Sequence, residues 1–179
     1  MTSSRLQCLR TKMKENELDA LLVSTPENRR YISGFTGSAG HLLISQDEAI
    51  LGTDFRYIEQ AQGQALDFHV LKVGTWSWLL EQLGRMGTKR LGFENQHMTM
   101  ATYKRITDAI QELPSECRPT LIHTSGLVEA LRSIKDQGEL TLLQKAIDIS
   151  DEAMETVIPT IQPGETERQG AWRVEKTMR

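Results

Sequence analysis

The sequence predicts an α/β fold, a three-layer domain in which a mixed sheet of five or six strands carries helices on both faces, followed by a helical C-terminal extension. Two observations carry this expectation. Short apolar runs alternate with segments of helical periodicity along the first 134 residues, and after Ile134 only helical periodicity remains. Short strands that are apolar on both sides need cover on both sides, which helices packed above and below a sheet supply.

Residues 4–16 place Leu6, Leu9 and Met13 at helical spacing, and residues 19–24, "DALLVS", form a short apolar strand closed by "TPEN", a turn or loop signal. "HLLIS" and "EAILG" flank Gln46 and Asp47 as a hairpin, and "DFRYIEQAQ" follows as a helix with Asp54 as its N-cap. "FHVLKV" returns to strand. "TWSWLLEQLGRM" is helical, "RLGFE" a strand, "MATYKRITDAIQEL" a helix stopped by Pro114, and "TLIHT" a strand. The only glycine-rich loop, "GFTGSAGH", leads into a strand rather than a helix, so a tight loop that lets two strands diverge explains it better than an anion cradle.

From Gln137 to about Ile158, Leu140, Leu143, Ile147, Met154 and Val157 mark one long helix. "PTIQPGE" breaks it, and "TERQ" at 166–169 reads as a capping box in which Thr166 takes a helix N–H and Gln169 reaches back. The helix that starts there carries no stop signal before Arg179. Residues 135–179 therefore read as the opening of a second domain, with a helical arm docked on the first domain as the alternative.

Composition limits the function classes. The chain has 179 residues, 39% hydrophobic and 25% charged, with a formal charge of −3. That profile suits an ordinary globular protein with one domain of about 100–150 residues and a further segment. No Lys/Arg run exceeds the pair Arg29, Arg30, which argues against nucleic acid and anionic membranes as partners. The charged N-terminus lacks a signal-peptide core and no stretch is apolar enough to cross a bilayer, so the expected location is cytoplasmic. Cys8 and Cys117 form no CxxC pair, are expected to be reduced, and Cys8 is placed on the apolar side of the first helix. His41, His69, His97 and His123 fall in separate elements without metal-ligand spacing. His41, His69 and His123 read as hydrogen-bonded scaffold residues, and neither catalytic nor metal-binding residues are assigned.

One connection exceeds what a turn needs. "TDFRYIEQA" packs an acid, two rings and a guanidinium where a strand gives way to a helix. Taken with "PENRRYISGFTGSAGHLLIS", "RSIKDQGELTLLQKAIDIS" and "IQPGETE", it resembles in order and spacing the N-terminal part of Xaa-Pro aminopeptidases and Xaa-Pro dipeptidases (prolidases), in the metallopeptidase family that also contains creatinase. Each motif alone is weak, and four in order are specific. The resemblance runs from about Leu6 to Arg179.

It implies a non-catalytic creatinase/prolidase-like N-terminal domain over residues 1–134 and, over 135–179, the first helices of a pita-bread catalytic domain. That domain holds two divalent metal ions, manganese, cobalt or zinc, on two Asp, one His and two Glu lying beyond this chain. The chain alone is then expected to be inactive, with its own missing catalytic domain and a homo-oligomer as partners, and short proline-containing peptides as substrates of the whole enzyme. The resemblance also places Arg56, with Phe55, Tyr57 and Trp76, near substrate across a subunit interface, where a planar guanidinium suits a carboxylate.

Other readings stay open. Asp54 as N-cap, Tyr57 and Ile58 as core and Arg56 as a solvated side chain would explain the segment without function, and Asn28, Tyr31, Gly34, Phe35 and Trp78 share that ambiguity. For the whole chain, the alternatives are a stand-alone interaction module without a catalytic domain and the N-terminal domain of a creatinase-like amidinohydrolase.

Overall fold

The computed structural model describes residues 2–179, which divide into two compact units, the first ending at Ser133 and the second Ile134–Arg179. In the first unit the elements run α1 (Thr2–Glu15), β1 (Ala20–Val23), α2 (Pro26–Ser33), β2 (His41–Ser45), β3 (Ala49–Thr53), α3 (Ile58–Gln64), β4 (His69–Lys72), α4 (Ser77–Met86), β5 (Arg90–Glu94), α5 (Met100–Gln111), β6 (Thr120–Thr124) and α6 (Leu127–Ser133). The six strands form one mixed sheet in the order β4-β3-β2-β1-β5-β6. β1, β2 and β3 pair antiparallel, whereas β3 with β4, β1 with β5 and β5 with β6 pair parallel.

Strand alternation divides the core into two layers. Leu21 and Val23 of β1 join Leu42, Ile44 and Leu51 on one face, under Leu6, Leu9 and Met13 of α1, Ile32 of α2, Ala61 of α3 and Val128 of α6. Ala20 and Leu22 join Leu43, Ile50, Leu91 and Phe93 on the other, under Trp78, Leu79 and Leu83 of α4 and Ile106 and Ile110 of α5. A period of two in each strand thus fills both layers, and all four residues of β1 are buried.

Three local readings are corrected. "TPEN" starts a helix rather than a turn: Thr25 is the extended N-cap of α2, Pro26 stands at its first position, and Gly34 closes it with φ 76°. Proline loses nothing at that position because its missing N–H would be unpaired there anyway. The glycine-rich loop therefore joins a helix to a strand and does not separate two strands. Cys8 is exposed, because at helical spacing it lies well off the stripe formed by Leu6, Leu9 and Met13.

The second unit is a helix pair, α7 (Gln137–Val157) and α8 (Glu167–Met178). Each starts with a complete capping box, Asp136 with Glu139 and Thr166 with Gln169, the latter as the sequence predicts. Between them Gly164 adopts φ 92°, and Arg173 reaches back to Glu165 at 2.6 Å and to the Thr160 carbonyl at 3.2 Å. Ala153 and Val157 are the buried residues of α7, while Leu140, Leu143, Ile147, Met154 and Trp172 remain about half exposed.

Candidate functional site

The segment after β3 is a turn, not a helix start. α3 begins only at Ile58, and Asp54 does not cap it. Its carboxylate instead accepts the Arg56 backbone N–H at 3.0 Å, forming a local side-chain turn, and takes the Arg56 guanidinium on both oxygens, from Nε at 3.1 Å and Nη2 at 2.7 Å. Asp54 thus orients Arg56. The hydrogen bonds hold the Asp54 carboxyl below its usual range and raise the Arg56 guanidinium above its own.

The same turn places the rings. The Arg56 guanidinium lies 5.2 Å from the Tyr57 ring centre, the Tyr57 hydroxyl pairs with the Ser38 hydroxyl at 2.7 Å, and Tyr57 meets Phe35 edge to face at 6.0 Å. Tyr57 is therefore anchored to the glycine-rich loop and to the core. Phe55 is not anchored: it projects from the tip with 72% of its surface exposed.

Trp76 belongs to the next connection, as the N-cap residue of α4. Its half-buried ring lies against His41 at 4.8 Å, and Trp78 of the same helix is buried against Gly52, where any Cβ would come within 3.0 Å of the indole. The glycine in β3 is what lets that ring approach the sheet. Asp54 and Trp76 line one cleft of ≈ 510 Å³ at this end of the sheet, together with His41, Trp78, Thr102 and Arg105. Of the four residues that the resemblance places near substrate, Phe55, Arg56 and Tyr57 share one turn and Trp76 stands in the cleft that this turn borders.

The histidines differ from expectation. His41 Nδ1 is buried without a hydrogen-bond partner, and burial, with Arg29 and His97 nearby, pushes its pKa down to about 4. Aromatic contact rather than hydrogen bonding holds it, and His123 likewise packs against Phe93 at 4.9 Å and Tyr103 at 6.3 Å. His69 is exposed on the edge strand β4. Among the described residues no group of three or more His, Cys, Asp or Glu side chains could hold a metal ion.

Behind the turn lies a buried polar scaffold that the sequence reading passed over. Arg29, 3% exposed, donates to the carbonyls of Gly37 and Gly40, each at 2.6 Å, and closes the glycine-rich loop around itself. Gly37 has no room for a side chain, since a Cβ would overlap the Phe35 ring. Glu94, at the end of β5, accepts the backbone N–H groups of Ser24 at 2.6 Å and Thr25 at 2.7 Å, and the Asn28 amide at 2.6 Å. It supplies from another strand the cap that the Thr25 side chain does not give α2. Asn28 also donates to Glu129 at 2.6 Å and accepts from Arg132 at 2.9 Å, tying α6 to this corner. Tyr31 donates its hydroxyl to the Leu131 carbonyl at 3.3 Å, and with Asn28, Gly34 and Phe35 its contacts are those of framework. The readable signal was the Thr-Pro start and glycine stop of α2, but no local pattern announces a cap from Glu94.

A larger hollow of ≈ 670 Å³ lies at the opposite end of the sheet. Several of its charges are engaged: Asp19 accepts the N–H groups of Lys89 and Arg90 at 2.8 Å, Glu48 is paired with Arg85, and Glu17 lies 3.7 Å from Arg90. It contains no aromatic surface, and the smaller cleft is the better candidate.

Comparison with known proteins agrees with this architecture. The family described as the creatinase/prolidase N-terminal domain matches residues 5–134. The uncharacterized peptidase YqhT of Bacillus subtilis is 35% identical over 177 residues, covering 98% of this chain and 48% of its own length. A solved Xaa-Pro dipeptidase from Bacillus anthracis superposes with a TM-score of 0.90 at 34% identity, over 99% of this chain and 49% of that one. The solved N-terminal domain of the cytoplasmic peptidase PepQ from Mycobacterium tuberculosis gives a TM-score of 0.66 at 36% identity, over 72% of this chain and 98% of that one. The chain thus spans about half the length of the relatives that it matches along nearly its whole course.

Proposed function

Because the chain belongs to the creatinase/prolidase N-terminal domain family, we propose that it serves as the non-catalytic N-terminal part of a proline-directed metallopeptidase, an Xaa-Pro dipeptidase or aminopeptidase. The observation that carries this reading is the likeness over 99% of the chain to about half of a dipeptidase. On this reading the domain boundary lies near Ile134, and residues 135–179 open the catalytic domain. The apolar residues left half exposed on α7 and α8 support it, because two helices cannot bury such a stripe alone.

The catalytic metals, manganese, cobalt or zinc, are assigned to that further domain, since no described cluster here could hold them. What this chain contributes is a homo-oligomer contact and control of access to a neighbouring subunit's active site. Phe55, Arg56, Tyr57 and Trp76 form that surface. Asp54 engages Nε and Nη2 of Arg56, so the Nη1 side of the guanidinium stays open to a second carboxylate. A cytoplasmic location fits two free cysteines and the absence, among described residues, of a helix long and apolar enough to span a membrane.

Sequencing the encoding gene past Arg179 and assaying proline release test the proposal together. A downstream region with two Asp, one His and two Glu ligands, metal-dependent cleavage of Xaa-Pro peptides by the longer protein, and no cleavage by residues 1–179 are expected. Metal-dependent turnover by the 179-residue chain, or a longer protein without such ligands, would overturn it.

A further inference from the structure

The cleft between the end of β3 and α5 has the properties of a small-molecule site. Its ≈ 510 Å³ falls within the usual range for ligand clefts, roughly 300–1,000 Å³. Trp76, Trp78 and Val73 give it an apolar face, and Gly40, Gly52 and Gly74 bring backbone to its wall without side chains. Its electrostatics are simple. The Asp54 charge is compensated by Arg56 on both oxygens, and the His41 imidazole is neutral at pH 7 because its pKa lies near 4. Arg105, exposed on α5, forms no ion pair or hydrogen bond among the described residues. One uncompensated guanidinium beside aromatic surface matches one carboxylate on an apolar body. A doubly charged phosphate would call for a second cationic side chain, and Arg105 is the one such group in the lining.

We infer that this cleft binds a small apolar carboxylate of dipeptide size, with the carboxylate on Arg105 and the apolar part against Trp76. The site stands on its own lining. Only the choice of a peptide ending in proline as the natural occupant rests on the proposed function.

The test is a titration of the 179-residue chain followed by the indole N–H signals in nitrogen-resolved NMR, with Gly-Pro, Gly-Pro amide and Gly-Leu as probes. Trp172, in the helix pair, is the internal control. Gly-Pro should move the Trp76 and Trp78 signals saturably and leave Trp172 still, and its amide should bind roughly tenfold more weakly. Arg105→Ala should lose the acid's advantage, and Arg105→Lys should recover part of it. Shifts that do not saturate by about 20 mM, equal binding of acid and amide, or wild-type binding by Arg105→Ala would each overturn the inference. Equal binding of Gly-Leu and Gly-Pro would uphold the site and remove its link to proline. Loss of peptidase activity in the longer protein with acid-selective binding intact would overturn only the proposed function.

Discussion

Arg29 and Arg56 are guanidiniums of the same α/β unit, each held by two oxygen contacts, and they do opposite work. Arg29 is 3% exposed and its partners are the carbonyls of its own loop, whereas the Arg56 side chain is 57% exposed and its partner is a carboxylate two residues away. Burial pushes the Arg29 pKa down, the Glu27 and Glu94 charges oppose that shift, and the carbonyls stand in for the water the guanidinium loses. The Arg56 pair is solvated, and screening leaves it little effect on folding. A buried arginine whose two terminal nitrogens are committed to its own loop builds the framework, and an exposed, pre-oriented one keeps part of its guanidinium open to solvent.

The sharpest way to break the comparison is at Arg29. Arg29→Ala should destabilise the chain by about 3–5 kcal/mol, since it leaves the Gly37 and Gly40 carbonyls without donors and opens a cavity under the loop. Urea denaturation measures it, and a loss below about 1 kcal/mol would mean that the loop holds itself.

His41, which faces Arg29 and His97, gives a pH-dependent counterpart. Its folded pKa near 4 lies below an unfolded value near 6.5, so the native state favours the neutral ring. The contribution is complete above pH 6.5 and is lost as pH falls toward 4, by about 3 kcal/mol at most. The stability difference between wild type and His41→Gln should shrink by that order over this window. Parallel curves for the two proteins would show that the buried ring is not desolvated. Gly37→Ala should cost somewhat less, about 1–3 kcal/mol, because the Phe35 ring must move. A neutral melting curve would remove the steric reason for that glycine.

How much of this was legible depended on whether the cause was local. Strands such as "RLGFE" and "TLIHT" and the Thr166 to Gln169 box were readable because period and caps are local, and the structure has β5, β6 and the α8 start there. Asp54 was misplaced as an N-cap because an acid two residues before an arginine can close its own turn, and that competition has no sequence signature. The Glu94 cap joins residues 70 apart, and the unpartnered His41 Nδ1 depends on Trp76 arriving from another connection. Such features belong to the sheet order, which no single segment encodes. The Arg56 turn itself was visible as a motif, but its readiness for a ligand rests on the bidentate pair with Asp54.

Arg56→Ala, the smallest expected effect on folding, tests the central claim most directly when set in the longer peptidase. The melting temperature should move by less than about 2 °C, while kcat/KM for an Xaa-Pro dipeptide falls roughly tenfold to a hundredfold, with longer peptides affected less and Arg56→Lys recovering only part. Unchanged kinetics on both a dipeptide and a longer peptide, or a loss of stability as large as that of Arg29→Ala, would show that the exposed arginine is framework as well.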